Sequence, residues 1–188
     1  STGKFKCVVI DAPFVNASTS CIGVDHRRAQ YEVAAKTVME NNCKRILYIA
    51  GKRNGYVTDE RIRGMEDLIK EKNLTMLVRN GEFSELQARN ITLKYAKNKD
   101  IVVCASDLMA IGAMKALIQM DIFRPVCGFD GIILMGYVGK QMNTVRQDFA
   151  SISESAMEEL QELMNGGYGR NIVMKHSLVR MKYEDIIA

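Results

Sequence analysis

Ile101 to Phe123 reads IVVCASDLMAIGAMKALIQMDIF, and its three parts decide the fold class. The apolar run Ile101 to Cys104 suits a buried strand. The Ser106-Asp107 pair breaks it, and a helical stretch begins at once. Leu108, Met109, Ile111, Ala113, Met114, Leu117, Ile118 and Met120 make that helix apolar on nearly every side. Its interior polar residues, Lys115 and Gln119, share one narrow face, so the helix should bury two surfaces. One surface belongs on its own sheet, and the other meets either more of the same chain or a partner.

The same alternation runs outward in both directions. Upstream, Phe5 to Ile10 and Cys21 to Val24 read as short strands, ended by Asp11 and Asp25. Asp25 can cap a helix carrying Ala34, Ala35, Val38 and Met39, after which Lys44 to Gly51 returns as a strand. A loop from Lys52 to Val57 leads to a helix opened by Thr58 or Asp59. Leu74 to Val78 is the next strand, and Ser84 with Gln87 has capping-box spacing for a helix to about Lys97. Downstream, Pro125 to Phe129 reads as a strand and Ile132 to Met142 as a mobile connection without a clean period. Asn143 to Arg146 is a brief strand or hinge, the helix from Phe149 stops at Asn165-Gly166-Gly167, and Ile172 to Met181 closes the chain as one strand. Alternating strands and helices predict an α/β fold of parallel sheets with helices on both faces.

Composition fits an ordinary globular chain. Its 188 residues are 47% hydrophobic, enough for a sizeable core, and the net charge of +4 comes from interspersed Lys and Arg without a basic run. A direct nucleic-acid footprint is therefore weak. No stretch is long and apolar enough for a membrane span, and no signal peptide opens the chain. The five cysteines are odd in number and have no C-x-x-C spacing, which suggests buried thiols in a reducing compartment. His26 and His176, the two histidines, lack metal-ligand spacing, so neither a metal nor a cofactor is expected.

In open α/β sheets ligands bind outside the carboxyl ends of the strands. Asp25, the Lys52 to Arg61 loop, Glu82, Phe83, Ser106, Asp107, Asp130 and Gln147 all fall there. Carboxylates, an arginine and an aromatic ring on one edge suit a polyhydroxylated small molecule. Each residue has a plainer reading. Arg61 could form a surface ion pair with Asp59 or Glu85, Asp130 could make a turn, Asp107 reads as a helix N-cap and Phe83 as a core or lid aromatic. Gly51-Lys52-Arg53-Asn54-Gly55 lacks the G-K-[ST] of a phosphate loop and reads as a flexible loop, although Lys52, Arg53 and Arg61 would also suit an anionic ligand.

Six pieces in order carry a family resemblance: IGVDHRRAQYEVAAKTVMENNCKRILYIAG, DERIRGMEDLI, ASDLMAIGAMKAL, CGFDG, TVRQDFASISESAMEEL and HSLVRM. Together they resemble the effector-binding portion of LacI/GalR-type transcriptional regulators, whose fold is that of the periplasmic sugar-binding proteins. The resemblance implies a periplasmic-binding-protein-like type I fold of two lobes, with crossings near Cys43, Asn143 and Arg170. Residues 1–43 and 143–170 would form an incomplete first lobe, and residues 44–142 with 171–188 the second. It implies effector contacts from Arg61, Asp130, Ser106, Phe83, Gln147 and Asp25, and a homodimer interface through Met109, Ala113, Leu117 and Met120. Gln147 could equally face the hinge, and the Met109 to Met120 helix could be buried wholly within one chain.

The implied protein is a cytoplasmic, non-enzymatic regulator. A sugar-like effector would control DNA binding by a helix-turn-helix that these residues do not contain. The loop before CGFDG is shorter than in the family, and Lys140-Gln141-Met142-Asn143-Thr144 replaces its Pro-Leu-Thr-Thr segment. An exported sugar receptor of the same fold and an α/β sugar-phosphate enzyme are the alternatives. The thiols disfavour the receptor, and the scarcity of histidines with no phosphate loop disfavours the enzyme.

Overall fold

The computed structural model describes residues 5–132 and 142–181. It divides into two compact units, Ser1–Asp25 with Gln147–His176 and His26–Arg146 with Ser177–Ala188.

The first unit holds a three-stranded sheet. β1 (Cys7–Ile10) and β8 (Asn171–Met174) flank the central β2 (Thr19–Val24), and both ladders are parallel. Helix α5 (Phe149–Met164) packs on β1 and β2. Asp148 caps it, accepting the Ser151 amide at 3.0 Å. A polar tie fixes helix to sheet. Ser20 donates its hydroxyl to the buried Glu159 at 2.6 Å, and Arg170 donates to the same carboxylate at 2.9 and 2.7 Å. These charge-assisted bonds satisfy an acid that could not otherwise sit under a helix, and Arg170 holds the Glu159 carboxyl below its usual range.

The second unit is a six-stranded sheet ordered β4-β3-β5-β6-β7-β9. Its strands are β3 (Arg45–Ala50), β4 (Thr75–Asn80), β5 (Ile101–Cys104), β6 (Val126–Cys127), β7 (Met142–Gln147) and β9 (His176–Met181). The ladders from β4 through β7 are parallel. Ile46 to Ala50 and Ile101 to Cys104 are buried along their whole length, as strands covered on both faces must be.

Four helices supply the cover: α1 (His26–Asn41), α2 (Tyr56–Lys72), α3 (Glu85–Tyr95) and α4 (Asp107–Gln119). α1 packs on α2, and α3 on α4. Each pair crosses closely at a glycine. A Cβ on Gly64 would collide with the Arg27 carbonyl oxygen, and one on Gly112 with that of Glu85.

Several expectations need correction. The unit boundaries fall at Asp25/His26, Arg146/Gln147 and His176/Ser177, not at 43, 143 and 170, so the first long helix belongs to the second unit. The closing strand is two strands, β8 and β9, one in each sheet. Helix α2 begins at Tyr56 behind Gly55, ahead of Thr58 and Asp59, with no side-chain cap. Ser84 caps α3 as its spacing predicts, accepting the Gln87 amide at 3.3 Å. Met109, Ala113 and Leu117 are buried by their own chain, because α3 covers the second apolar face of α4, and Met120 is half-buried against the same core. Met109, Ala113 and Leu117 thus offer little surface to a second subunit, whereas Met120 keeps part of its side chain exposed. The expected mobile connection lies, from 133 to 141, outside the described residues.

Candidate functional site

Arg61 is the centre of a polar cluster at the carboxyl edge of the second unit's sheet. It lies on α2, one turn in, and is only 4% exposed, which rules out a surface ion pair. A buried guanidinium needs partners for its charge and its five N–H groups. Its carbon sits 3.6 Å from the centroid of the Phe129 ring, a cation–π stack. One terminal nitrogen donates to the Ala105 carbonyl just past β5. The other nitrogens approach His26 Nδ1 at 3.3 and 3.4 Å. Arginine cannot accept, so in these contacts His26 Nδ1 is the acceptor. The His26 and Phe129 rings lie 5.9 Å apart, so both planes are fixed from two sides.

Asp130 stands beside this platform, its Oδ1 3.9 Å from Arg61 Nη2. Its side chain keeps 28% exposure against 4% for Arg61, so it is the member of the pair that an incoming molecule meets. Its backbone has φ of 109°, a region costly for any residue but glycine. That conformation is imposed by β7: the Asp130 amide donates to the Val145 carbonyl at 2.8 Å, and Asp130 bridges to Arg146.

Phe83, also at positive φ (56°), is half-buried and lays its ring over Gly51 at the end of β3. Any side chain at Gly51 would displace that ring. Asn80 Nδ2 donates to the Gly51 carbonyl at 3.1 Å and fixes the same corner. Phe83 is thus an aromatic wall at the sheet edge, packed partly into the core.

Ser106 takes the capping role read for Asp107, and Asp107 turns inward. Ser106 is the N-cap of α4, its Oγ accepting the Met109 amide at 3.3 Å. Asp107 is fully buried and caps nothing. It accepts the Thr144 hydroxyl on Oδ1 at 2.6 Å and the Ile132 amide on Oδ2 at 2.8 Å. Burial pushes its carboxyl up to about 7, and the nearby Asp130 adds to the rise, against the pull of those donors.

Asp25 and Gln147 belong to the first unit, the former exposed and the latter buried. The structure therefore brings Arg61 and Asp130 together, places Phe83 over Gly51 and uses Ser106 as a cap. His26, Phe129 and Thr144 were not expected as members. In the sequence His26 offers neither metal-ligand spacing nor a triad, and Phe129 reads as the end of a strand. Lys52 and Arg53 lie exposed in their loop. No group of three or more His, Cys, Asp or Glu among the described residues is arranged to hold a metal ion. A groove of about 280 Å³, bordered by Met114, Leu117, Phe123, Arg124 and Val126, lies at the amino end of β6 and shares no residue with this cluster.

The edge thus offers a fixed donor, an adjacent acceptor and aromatic faces, the elements that recognise hydroxyl-bearing molecules. Comparisons with known proteins identify the family and the fold. Residues 35–183 match the family described as periplasmic binding protein-like domain. The HTH-type transcriptional regulator MalR of Clostridium butyricum is 28% identical over 171 residues, 85% of this chain and 51% of that protein. The chain spans about half the length of the curated relatives it matches. A complex of the transcriptional regulator CelR with cellobiose superposes with a TM-score of 0.79 at 22% identity, over 86% of this chain and 53% of that one. A LacI family transcriptional regulator from Enterococcus faecium with bound ribose superposes with a TM-score of 0.82 at 14% identity, over 93% and 69%. At these identities the solved structures speak for the fold alone.

Proposed function

We propose, for a chain that belongs to the periplasmic binding protein-like domain family, that the edge built by Arg61, Asp130, Phe129 and Phe83 binds a sugar or sugar derivative. In this reading the chain is the effector-binding portion of a LacI-type transcriptional regulator. The effector biases the whole protein between DNA-bound and released states through its different affinity for the two. One observation carries the proposal: the Arg61 donor and the Asp130 acceptor stand 3.9 Å apart at an aromatic floor. Neighbouring hydroxyls of a sugar ring can take one bond from the first and give one to the second. The sugars bound to two structural neighbours, cellobiose and ribose, support the ligand class.

DNA contacts belong to residues outside this chain, the regulator acts in the cytoplasm as a homodimer, and no turnover of the effector occurs. Free thiols at Cys21, Cys43, Cys104 and Cys127, all buried, support a reducing compartment over export. No helix among the described residues is long and apolar enough to cross a membrane.

A thermal-shift screen over cellobiose, D-ribose and other sugars tests the proposal, because a ligand of the folded state raises its apparent stability. A shift that disappears in Arg61→Ala and in Asp130→Ala supports it. A shift kept in both variants places the sugar elsewhere and refutes the site.

A further inference from the structure

Asp107 has no role in the site as described so far, yet it is the most unusual group near it. It is a carboxyl with no exposure, at the first position of α4, and two segments converge on this residue at three points. β7 reaches it through the Thr144 hydroxyl at 2.6 Å. The turn after β6 reaches it through the Ile132 amide at 2.8 Å. The Asp107 amide in turn donates to the Phe129 carbonyl at 2.7 Å. Gly128 leaves no room between them: a Cβ there would strike Asp107 Oδ1. The carboxyl therefore ties Ile132, beyond Asp130, to the strand that holds Asp130 at its positive φ, while the backbone amide of Asp107 ties Phe129 on the near side.

We propose that Asp107 is the positioning residue of the effector site, holding the 129–132 turn and β7 together so that Asp130 faces Arg61. The proposal rests on the effector-binding reading above. Asp107 touches neither Arg61 nor the effector and acts only through the turn. Ionised, it accepts charge-assisted bonds from both Thr144 and Ile132. Protonated, it has one acceptor fewer and the turn is held less firmly. The titratable groups that face it are Asp130 from the turn, Cys104 from β5 and Cys127 from β6. Burial pushes the Cys127 thiol up to about 12 and the Cys104 thiol well above its ordinary value, so neither changes charge near neutrality. Asp107 is the group of this cluster whose carboxyl lies near 7.

The test uses the 188-residue chain labelled with ¹⁵N, as wild type, Asp107→Asn and Thr144→Val. Asparagine keeps the size, can still accept the Ile132 amide and can donate to the Thr144 oxygen, so it spares the fold and removes the titration. With no ligand added, the amide resonances of Asp130, Gly131 and Ile132 should move with pH around neutrality in wild type. They should stay still in Asp107→Asn and move at higher pH in Thr144→Val, which has lost a donor to the carboxylate. With cellobiose and D-ribose as probes, whichever binds should bind about tenfold more tightly to wild type at pH 8 than at pH 6, and equally at both in Asp107→Asn.

A purely structural aspartate would not produce that profile. The same amide titration in wild type and Asp107→Asn, or none in either, overturns the positioning role, and it does so even if neither sugar binds. Sugar binding that survives Asp130→Ala overturns the site on which the role rests, and is told apart because the three amides still titrate.

Discussion

Raising the pH from 4 to 8 should weaken the second unit by an amount that Asp107 sets. In the unfolded chain its carboxyl titrates at an ordinary value of 3.8; in the fold, burial lifts it to about 7. Between those values the folded protein holds a proton that the unfolded chain has released, so stability falls as pH rises across this window and levels off above it. The interval corresponds to about 4 kcal/mol, with a slope of about 1.4 kcal/mol per pH unit at its centre. Asp107→Asn carries no such charge and should lack this component.

Because the chain has two units, a single melting curve would mix them. Hydrogen exchange at the Ile49 and Val103 amides, in the central strands of the second unit, reports that unit alone. The difference between wild type and Asp107→Asn at each pH cancels the intrinsic dependence of exchange. Equal opening free energies at pH 5 and pH 8, relative to the variant, would refute the assignment of a buried, perturbed acid. So would a gain in relative stability on going to high pH.

Two further outcomes follow from packing and pairing. Gly112→Ala should destabilise the second unit by about 2 kcal/mol in urea unfolding: forcing a Cβ against the Glu85 carbonyl outweighs the roughly 1 kcal/mol that helix propensity favours alanine. Glu159→Gln should cost the first unit about 1–2 kcal/mol. Arg170 holds the Glu159 carboxyl below its ordinary value, so that stabilisation is present above pH 4.5 and is lost as pH falls through the folded value. The urea midpoint of the wild type should accordingly approach that of the variant in acid.

The α/β alternation was legible because strand and helix periods differ, and the quoted stretch carries both within 23 residues. The lobe division was less so, because a boundary depends on which sheet a helix joins. Nothing in the run from His26 to Asn41 says that its apolar stripe meets α2. The break at Lys175 is invisible for a like reason, since β8 and β9 are both short and each carries a run of apolar residues, Ile172 to Met174 and Leu178 to Val179. At the site, Arg61 and Asp130 were legible as chemically capable residues at strand ends. His26 and Phe129 were hidden because their importance comes from holding Arg61, the first through Nδ1 and the second by stacking, a relation between segments far apart in sequence. The choice between Ser106 and Asp107 as the cap was likewise undetermined, since either side chain can cap a helix, and only the neighbouring Thr144 and Ile132 decide which one turns inward.

The positive φ of Asp130 has a consequence for anyone who would engineer this chain. A backbone conformation that suits glycine but holds aspartate costs on the order of 1–3 kcal/mol. Glycine would recover it and abolish the acceptor at the sheet edge. A screen for heat tolerance alone would therefore draw position 130 toward glycine, and each such winner would be sturdier and without the acceptor that the proposed sugar site requires. Any stabilisation campaign has to select for binding in the same round.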